Sequence, residues 1–135
     1  MIVLSNSTTQ TLAPGQALVF DIVKEKCGTC QCHRQNSSSV KMCSKGCYEV
    51  SFSGNITGAT ADVSVGIAIQ LGGETLRETG MISTPSVANA FNNVSTSTIV
   101  KNCCCDYSRL TVVNVSTTTV IVGSDASFTI KEVCG

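Results

Sequence analysis

The stretch GCYEVSFSGNI, residues 46–56, decides how the rest of the chain is interpreted. From Tyr48 to Phe52 every second residue is large and apolar, and the residues between them are polar. Because successive side chains of a strand point to opposite faces of a sheet, this alternation predicts a strand with one face in a core. The other face carries serines, which suit solvent or a closely packed neighbour.

The same kind of pattern recurs on both sides of this stretch. Strand-like segments rich in Val, Ile, Thr and Phe occupy 16–23, 39–43, 47–56, 62–71, 97–102, 109–115, 118–123 and 126–133. Polar turns separate them, and Gly72-Gly73 is a typical two-residue hairpin turn. Only 86–94 has room for a short helical turn. The sequence therefore predicts an all-β fold, an antiparallel jelly-roll sandwich that fills residues 1–135 as a single domain.

The charge of the chain is unusually low. Nine acidic residues balance nine basic ones, and only 13% of the 135 residues are charged. Without a basic patch the chain has no electrostatic attraction to nucleic acid or to an anionic membrane, and no apolar run reaches the roughly 20 residues of a membrane span. Residues 1–4 are too short an apolar run for a signal peptide. We expect that other subunits cover much of the surface.

The order of the motifs resembles the tumour-necrosis-factor/complement-type jelly roll. GCYEVSFSGNI is similar to the family's Gly-x-Tyr-x-x-x-Phe strand, and VSVGIAIQLGGETL (63–76) is similar to the strand, short turn and polar strand that follow it. STIVKNCCCDYSRLTVVN (97–114) resembles the family's paired strands joined by a turn at Cys105-Asp106, and ASFTIKEV (126–133) resembles the closing strand. The resemblance covers about residues 40–133. It implies a trimer with aromatic and aliphatic residues along its axis.

A second likeness runs nearly from end to end. Small head-fibre or capsid-decoration proteins of phages that infect anaerobic Firmicutes are similar in the motifs LSNSTTQTLAPGQALVFD, CHR, YEVSFSGNI, IQLGGETL, MISTP and VKNCC. This resemblance implies a virion protein without enzymatic activity. The chain is richer in cysteine than the phage pattern, which leaves the crosslinking state open.

The nine cysteines offer a zinc site as one alternative. Structural zinc needs four thiolate or imidazole ligands, often supplied as two closely spaced pairs. Cys27 and Cys30 form one such pair, and Cys43 and Cys47 form a looser second pair. Further candidate ligands are Cys32 and His33.

Disulfide bonds are the interpretation we favour. The candidates are Cys27, Cys30, Cys32, Cys43, Cys47, Cys103, Cys104 and Cys105. Cys43 and Cys47 flank a turn and are candidates for a local bridge, whereas the adjacent cysteines at 103–105 are expected to reach different partners. Each bond would add about 2–4 kcal/mol to stability. Cys134, beside the end of the chain, is the candidate for a bond to another subunit.

Catalysis has little support in the sequence. The Cys27-x-x-Cys30 spacing occurs in thioredoxin-type enzymes, but there it begins a helix in a βαβ unit, and no such helix is predicted. Cys32 and His33 are chain neighbours, so their side chains diverge in an extended segment. We expect neither a catalytic residue nor a bound cofactor.

Together these observations predict a non-enzymatic bacteriophage virion protein on the virion surface, either a capsid decoration or a head-fibre subunit. Its partners would be two further copies in a homotrimer and the major capsid protein or another virion subunit, with residues 1–15 as an attachment arm. The alternative is a subunit of a disulfide-crosslinked extracellular fibre, such as an appendage on a bacterial spore. A third class, a soluble ligand or receptor-binding module, would need a partner-specific surface patch.

Overall fold

Antiparallel strands make up most of the molecule. The structure, a computed structural model, describes residues 1–26, 31–32, 37–42, 46–102 and 108–134. Its strands are β1 (Ile2–Ser5), β2 (Gln10–Leu12), β3 (Ile22–Lys26), β4 (Gln31–Cys32), β5 (Val40–Met42), β6 (Gly46–Thr57), β7 (Val65–Leu71), β8 (Glu74–Thr75), β9 (Met81–Ser83), β10 (Asn92–Asn102), β11 (Ser108–Asn114), β12 (Val120–Val122) and β13 (Ser127–Cys134). Within these residues the one helical element is a 3-10 turn, Arg77–Thr79, and no helix is long and apolar enough to cross a membrane. The all-β prediction is confirmed.

The larger sheet is built around β6. Its strand order is β2-β12-β6-β13-β1-β3, and β10 pairs with the other edge of β6. Because β6 is 12 residues long, one of its edges has room for both β13 and β12. β10 runs along the whole opposite edge, from Asn92 opposite Ile56 to Asn102 opposite Gly46. The stretch that carried the sequence argument is therefore the central strand of this sheet.

The smaller sheet has the order β4-β5-β11-β7-β8, and β9 also pairs with β7. β7 and β8 are joined by the hairpin turn that the sequence predicted. Gln70 lies opposite Thr75 and Leu71 lies opposite Glu74, while Gly72 and Gly73 have φ angles of 61° and 86°. Positive φ at both turn positions matches the twist of the strands and is costly for residues other than glycine, so this prediction is confirmed.

The core lies between the two sheets. From Tyr48 to Phe52 the apolar residues of β6 are fully buried, as the alternation predicted. Phe128 stacks on Phe20, with ring centroids 5.2 Å apart, and meets the edge of Phe52 at 6.4 Å. From the smaller sheet come Ile67, Ile69, Leu110 and Val112.

The N-terminal segment is built into the larger sheet, a placement that the sequence analysis did not describe. Ile2 and Leu4 are fully buried, and β1 lies between β13 and β3 inside the larger sheet. β2 pairs with β12 at the edge of the same sheet. Four residues suffice for a strand here because two neighbouring strands supply the hydrogen bonds. A role of residues 1–15 in attachment stays a prediction.

The strands around 97–114 also differ from the expected pairing. β10 pairs with β6 in the larger sheet, and β11 pairs with β5 and β7 in the smaller sheet. They are therefore not paired with each other, and the chain crosses between sheets after Asn102. The turn predicted at Cys105-Asp106 lies outside the described residues.

Two buried asparagines hold the loops at one end of the sandwich, which we call the asparagine end. The Asn6 amide donates to the Thr8 and Gly123 carbonyls at 2.9 and 3.0 Å, and its Oδ1 accepts the Ala126 N–H at 3.0 Å. Asn114 donates to two backbone carbonyls, those of Leu12 and Thr118, both at 2.9 Å. Both side chains are at most 1% exposed, so they replace water as partners of buried backbone groups.

Candidate functional site

The outward face of the larger sheet carries an array of short hydroxyl side chains. We call this array the hydroxyl face. In one row Ser95 lies opposite Ser53, which lies opposite Ser127, and in the next row Ser97, Ser51 and Thr129 are aligned in the same way. All six are exposed or half-buried. Because opposed residues of an antiparallel pair lie on the same face, strands β10, β6 and β13 together present a flat, uncharged surface.

The borders of the hydroxyl face differ in character. On one side Ile99 is 64% exposed and lies opposite Glu49, which in turn lies opposite Lys131. On the other side the Asn93 amide donates to the Asn55 Oδ1 at 3.2 Å. The face therefore has an apolar residue and a pair of opposite charges along one border and a hydrogen-bonded amide pair along the other.

The aromatic residues that the structure describes do not contribute to this face. Phe20, Tyr48, Phe52 and Phe128 are fully buried between the sheets, and Phe91, 47% exposed, lies near Gly123 at the asparagine end. These four buried aromatic side chains therefore pack in the core and are not available to line the trimer axis that the resemblance implies. Aliphatic and hydroxyl side chains remain available on the surface.

The three cysteines of the described strands, Cys32, Cys47 and Cys134, lie towards the opposite end of the sandwich, which we call the cysteine end. The register places several strand ends together there. β4 begins, β5 ends and β11 begins in one row, because Gln31 and Ser108 both lie opposite Met42. In the larger sheet Asn102, the last residue of β10, lies opposite Gly46, the first residue of β6. The Asn102 amide also donates to the Met42 carbonyl at 3.4 Å and so links the two sheets.

The chain segments that contain most cysteines start and finish at strand ends of the cysteine end. Segment 27–30 joins β3 to β4, segment 43–45 joins β5 to β6, and segment 103–107 joins β10 to β11. The predicted bridges and zinc ligands at Cys27, Cys30, Cys43, Cys103, Cys104 and Cys105, and the candidate ligand His33, lie outside the described residues. Within the described residues, no group of three or more His, Cys, Asp or Glu side chains is close enough together to hold a metal ion.

Three cysteines lie within the described strands. Cys32 ends β4 opposite Lys41 of β5. Cys47 is half-buried near the start of β6, and its register partners are Lys101 on β10 and Cys134 on β13. The sequence analysis did not consider Cys134 as a partner of Cys47, because residues 87 positions apart show no relation until the register of β6 and β13 is known.

The smaller sheet carries a groove of about 460 Å³. The Arg109 guanidinium lines it and donates to the Ser39 hydroxyl at 3.3 Å. The rest of the lining consists mainly of small residues: Gly15, Ala17, Gln70, Gly72, Gly73, Thr111 and Val113. One exposed cation in a shallow groove gives weak selectivity for a ligand.

The fold itself is shared with proteins of known structure. The Eiger TNF from S. frugiperda aligns with a TM-score of 0.72 at 10% identity over 98% of this chain and 90% of that chain. The globular domain of zebrafish complement 1qA aligns with a TM-score of 0.68 at 9% identity, covering 95% and 94%. The phage PRD1 vertex protein P5 aligns with a TM-score of 0.51 at 10% identity, covering 98% and 94%. No protein-family model matches the chain, and no curated protein matches its sequence.

These comparisons identify the fold as a TNF-like jelly roll that spans nearly the whole chain. The prediction of that fold from motif order is therefore confirmed. At such low identities the likeness concerns the fold alone. Function has to be argued from the surfaces of this molecule.

Proposed function

We propose that this protein is a non-enzymatic structural subunit on the surface of a bacteriophage virion, as a capsid decoration or a head-fibre subunit, and that it acts as a homotrimer. The observation that carries the proposal is the hydroxyl face on a TNF-like jelly roll. Its support from the comparisons is that one structure with the same fold is the vertex protein of a phage.

The chemistry of the hydroxyl face favours contact with another copy of the chain. Serine side chains are short, so a second sheet or strand edge can approach closely, and little side-chain entropy is lost when they are ordered. The face also carries no charge in its two central rows, so its burial costs less free energy than that of ionised groups. The exposed Ile99 at its border adds apolar area to such a contact.

The balance of charge fits the same role. A chain with no net charge and few charged residues has little electrostatic repulsion between copies and little attraction to nucleic acid. In this proposal the hydroxyl faces of three copies meet around an axis, and other surfaces contact the major capsid protein or another virion subunit. No catalytic residue or cofactor is part of the mechanism.

Mass measurement tests the assembly. Native mass spectrometry of the full chain should give a species of three times the 14.1 kDa chain mass. In Ser53→Arg an arginine in the centre of the hydroxyl face should yield monomers, because a buried guanidinium without a partner is costly. Thr75→Arg is the matched control, since Thr75 is an exposed strand residue of the smaller sheet, and this variant should remain trimeric. A monomeric wild-type protein would overturn the homotrimer.

A separate measurement tests the location. Particles purified from a lysate that contains the phage should carry the protein at a fixed copy number, and antibody-labelled electron microscopy should place it on the particle exterior. Its absence from purified particles would refute the virion role even if the protein is trimeric.

The alternative is a subunit of a disulfide-crosslinked extracellular fibre, such as a spore appendage. The observation in its favour is that the strands flanking three cysteine-containing segments end together at one end of the sandwich. Boiling in detergent without reductant should then leave a ladder of covalent oligomers. For the virion role we expect monomer mass under those conditions.

A further inference from the structure

Two cysteines lie opposite each other in the central strand pair of the larger sheet. Cys134 of β13 is the register partner of Cys47 of β6, after a shift of register between Glu132 and Cys134. Directly opposed residues of an antiparallel pair have Cα atoms about 4.5 Å or 5.5 Å apart, depending on the hydrogen-bonding site. Both spacings lie within the range of about 4.4–6.8 Å that a disulfide bond requires.

The position of the pair suits a crosslink. It forms the last rung of the β6–β13 ladder. Cys47 is half-buried, and the adjacent Val133 is 46% exposed, so a small oxidant can reach this end of the strand pair.

We propose that Cys47 and Cys134 form an intrachain disulfide bond that fastens the C-terminal strand to the centre of the larger sheet. The oxidant is a low-molecular-weight disulfide. One cysteine thiolate attacks it, forms a mixed disulfide and releases one thiol. The other cysteine thiolate then attacks the protein sulfur of that mixed disulfide and releases the second thiol. Two protein thiols are oxidised and one small disulfide is reduced to two thiols.

This bond would give Cys134 a different role from the intersubunit link expected from the sequence. A Cys134 that is bonded within its own chain cannot link two subunits. The crosslink would instead close a long loop, from β6 to the end of β13, and so restrict the unfolded chain. We expect oxidation to raise the melting temperature by about 10 °C through this loop closure.

Peptide mapping tests the bond directly. The full chain is oxidised with oxidised glutathione, remaining thiols are blocked with N-ethylmaleimide, and trypsin is added. Cleavage after Lys45, Arg77 and Lys131 yields peptides 46–77 and 132–135, which each contain a single cysteine. Mass spectrometry should find these two peptides joined to each other, and reduction should separate them.

The variants separate this bond from other links. Cys47→Ser and Cys134→Ser should each lower the melting temperature of the oxidised protein by the same amount, and the double variant should lower it no further. Cys32→Ser, on the smaller sheet, should keep the joined peptides. The proposal is overturned if peptide 132–135 is joined to its counterpart from another chain, if peptide 46–77 is joined to a different cysteine, or if both cysteines remain blocked by N-ethylmaleimide. Failure of this bond to form leaves the homotrimer and the virion location untouched, because native mass and particle composition test those two proposals separately.

Discussion

The two ends of the sandwich fasten their loops by different chemistry. At the asparagine end, Asn6 and Asn114 bond to backbone groups of neighbouring loops through fully enclosed amides. At the cysteine end, the register gathers the chain segments that carry thiols. An amide keeps its hydrogen bonds in reducing and oxidising surroundings alike, whereas a thiol pair contributes a covalent bond only after oxidation. One end is thus fixed when the chain folds, and the other can be strengthened afterwards.

This contrast suits a protein that folds in a cell and works outside it. The hydrogen bonds at the asparagine end and the packing of the core need no oxidant to form. Bonds at the cysteine end would form when the proposed virion is released into oxidising surroundings. The predictions below test whether the two ends are independent, and they run from the largest expected effect to the smallest.

Removal of a buried amide at the asparagine end should have the largest effect. In Asn114→Ala the Leu12 carbonyl loses the amide donor, and the Thr118 carbonyl keeps only the Ser116 hydroxyl. The Ser116 N–H and hydroxyl lose the Asn114 Oδ1 as an acceptor. We expect a loss of about 3 kcal/mol in the free energy of unfolding, because buried polar groups are left without partners. Urea denaturation measures it, with and without reductant.

The control for this variant is Asn93→Ala, because the Asn93 amide bond to Asn55 is exposed. Its effect should stay within about 0.5 kcal/mol. If reductant markedly changes the loss in free energy of unfolding caused by Asn114→Ala, the two ends are coupled. That result would contradict the comparison.

A methyl group added at Gly54, next to the Ala126 residue that bonds to Asn6, should have the next largest effect. Gly54 occupies an inward position of β6, and a Cβ atom there would lie 3.0 Å from the Ala126 Cβ and 3.2 Å from the Phe52 ring. We expect Gly54→Ala to cost about 2 kcal/mol, because a packed core has no room for the extra methyl group. Thermal denaturation measures the loss. Thr75→Ala, at an exposed site, is the control, and an equal loss in that variant would remove the packing explanation.

Reduction should act on the cysteine end alone. If the Cys47–Cys134 bond forms, its reduction should raise hydrogen exchange at the backbone amide of Lys131 about tenfold, because the end of β13 is then free to open locally. The Ala126 amide, which donates to Asn6, should change less than twofold. Hydrogen exchange measured by NMR on oxidised and reduced samples separates the two sites. Equal acceleration at both would mean that the ends open together.

The sequence predicted the parts of the fold that depend on local pattern. The alternation from Tyr48 to Phe52 identified the central strand and its buried face, and Gly72-Gly73 identified a turn whose positive φ angles need glycine. Motif order predicted the jelly roll. These features can be predicted because the alternation of side chains along a strand and the backbone preferences of turn residues depend on only a few neighbouring residues.

The remaining features depend on pairings between distant parts of the chain. β10 pairs with β6 in the larger sheet, whereas β11 belongs to the smaller sheet. No local sequence pattern indicates to which sheet a strand belongs. The hydroxyl face was missed for the same reason, since its rows appear only when three strands are in register. Asn6 and Asn114 looked like ordinary polar loop residues, and only the structure shows that they are buried.

The smallest effect concerns a carboxylate beside the asparagine end. Asp21 accepts hydrogen bonds from the Ser7 N–H, at 2.8 Å, and from the Ser7 hydroxyl. These bonds, the hydroxyl bond first, lower the pKa of Asp21 below its ordinary value because they favour the charged form. A carboxyl whose pKa is lower in the folded state stabilises the protein above its unfolded pKa of about 3.9, and this contribution is lost as the pH falls through the folded pKa. The melting temperature of Asp21→Asn should therefore lie slightly below that of the wild type at pH 6, and the difference should vanish towards pH 2. A difference that persists unchanged at pH 2 would show that the side chain acts through packing and not through its charge.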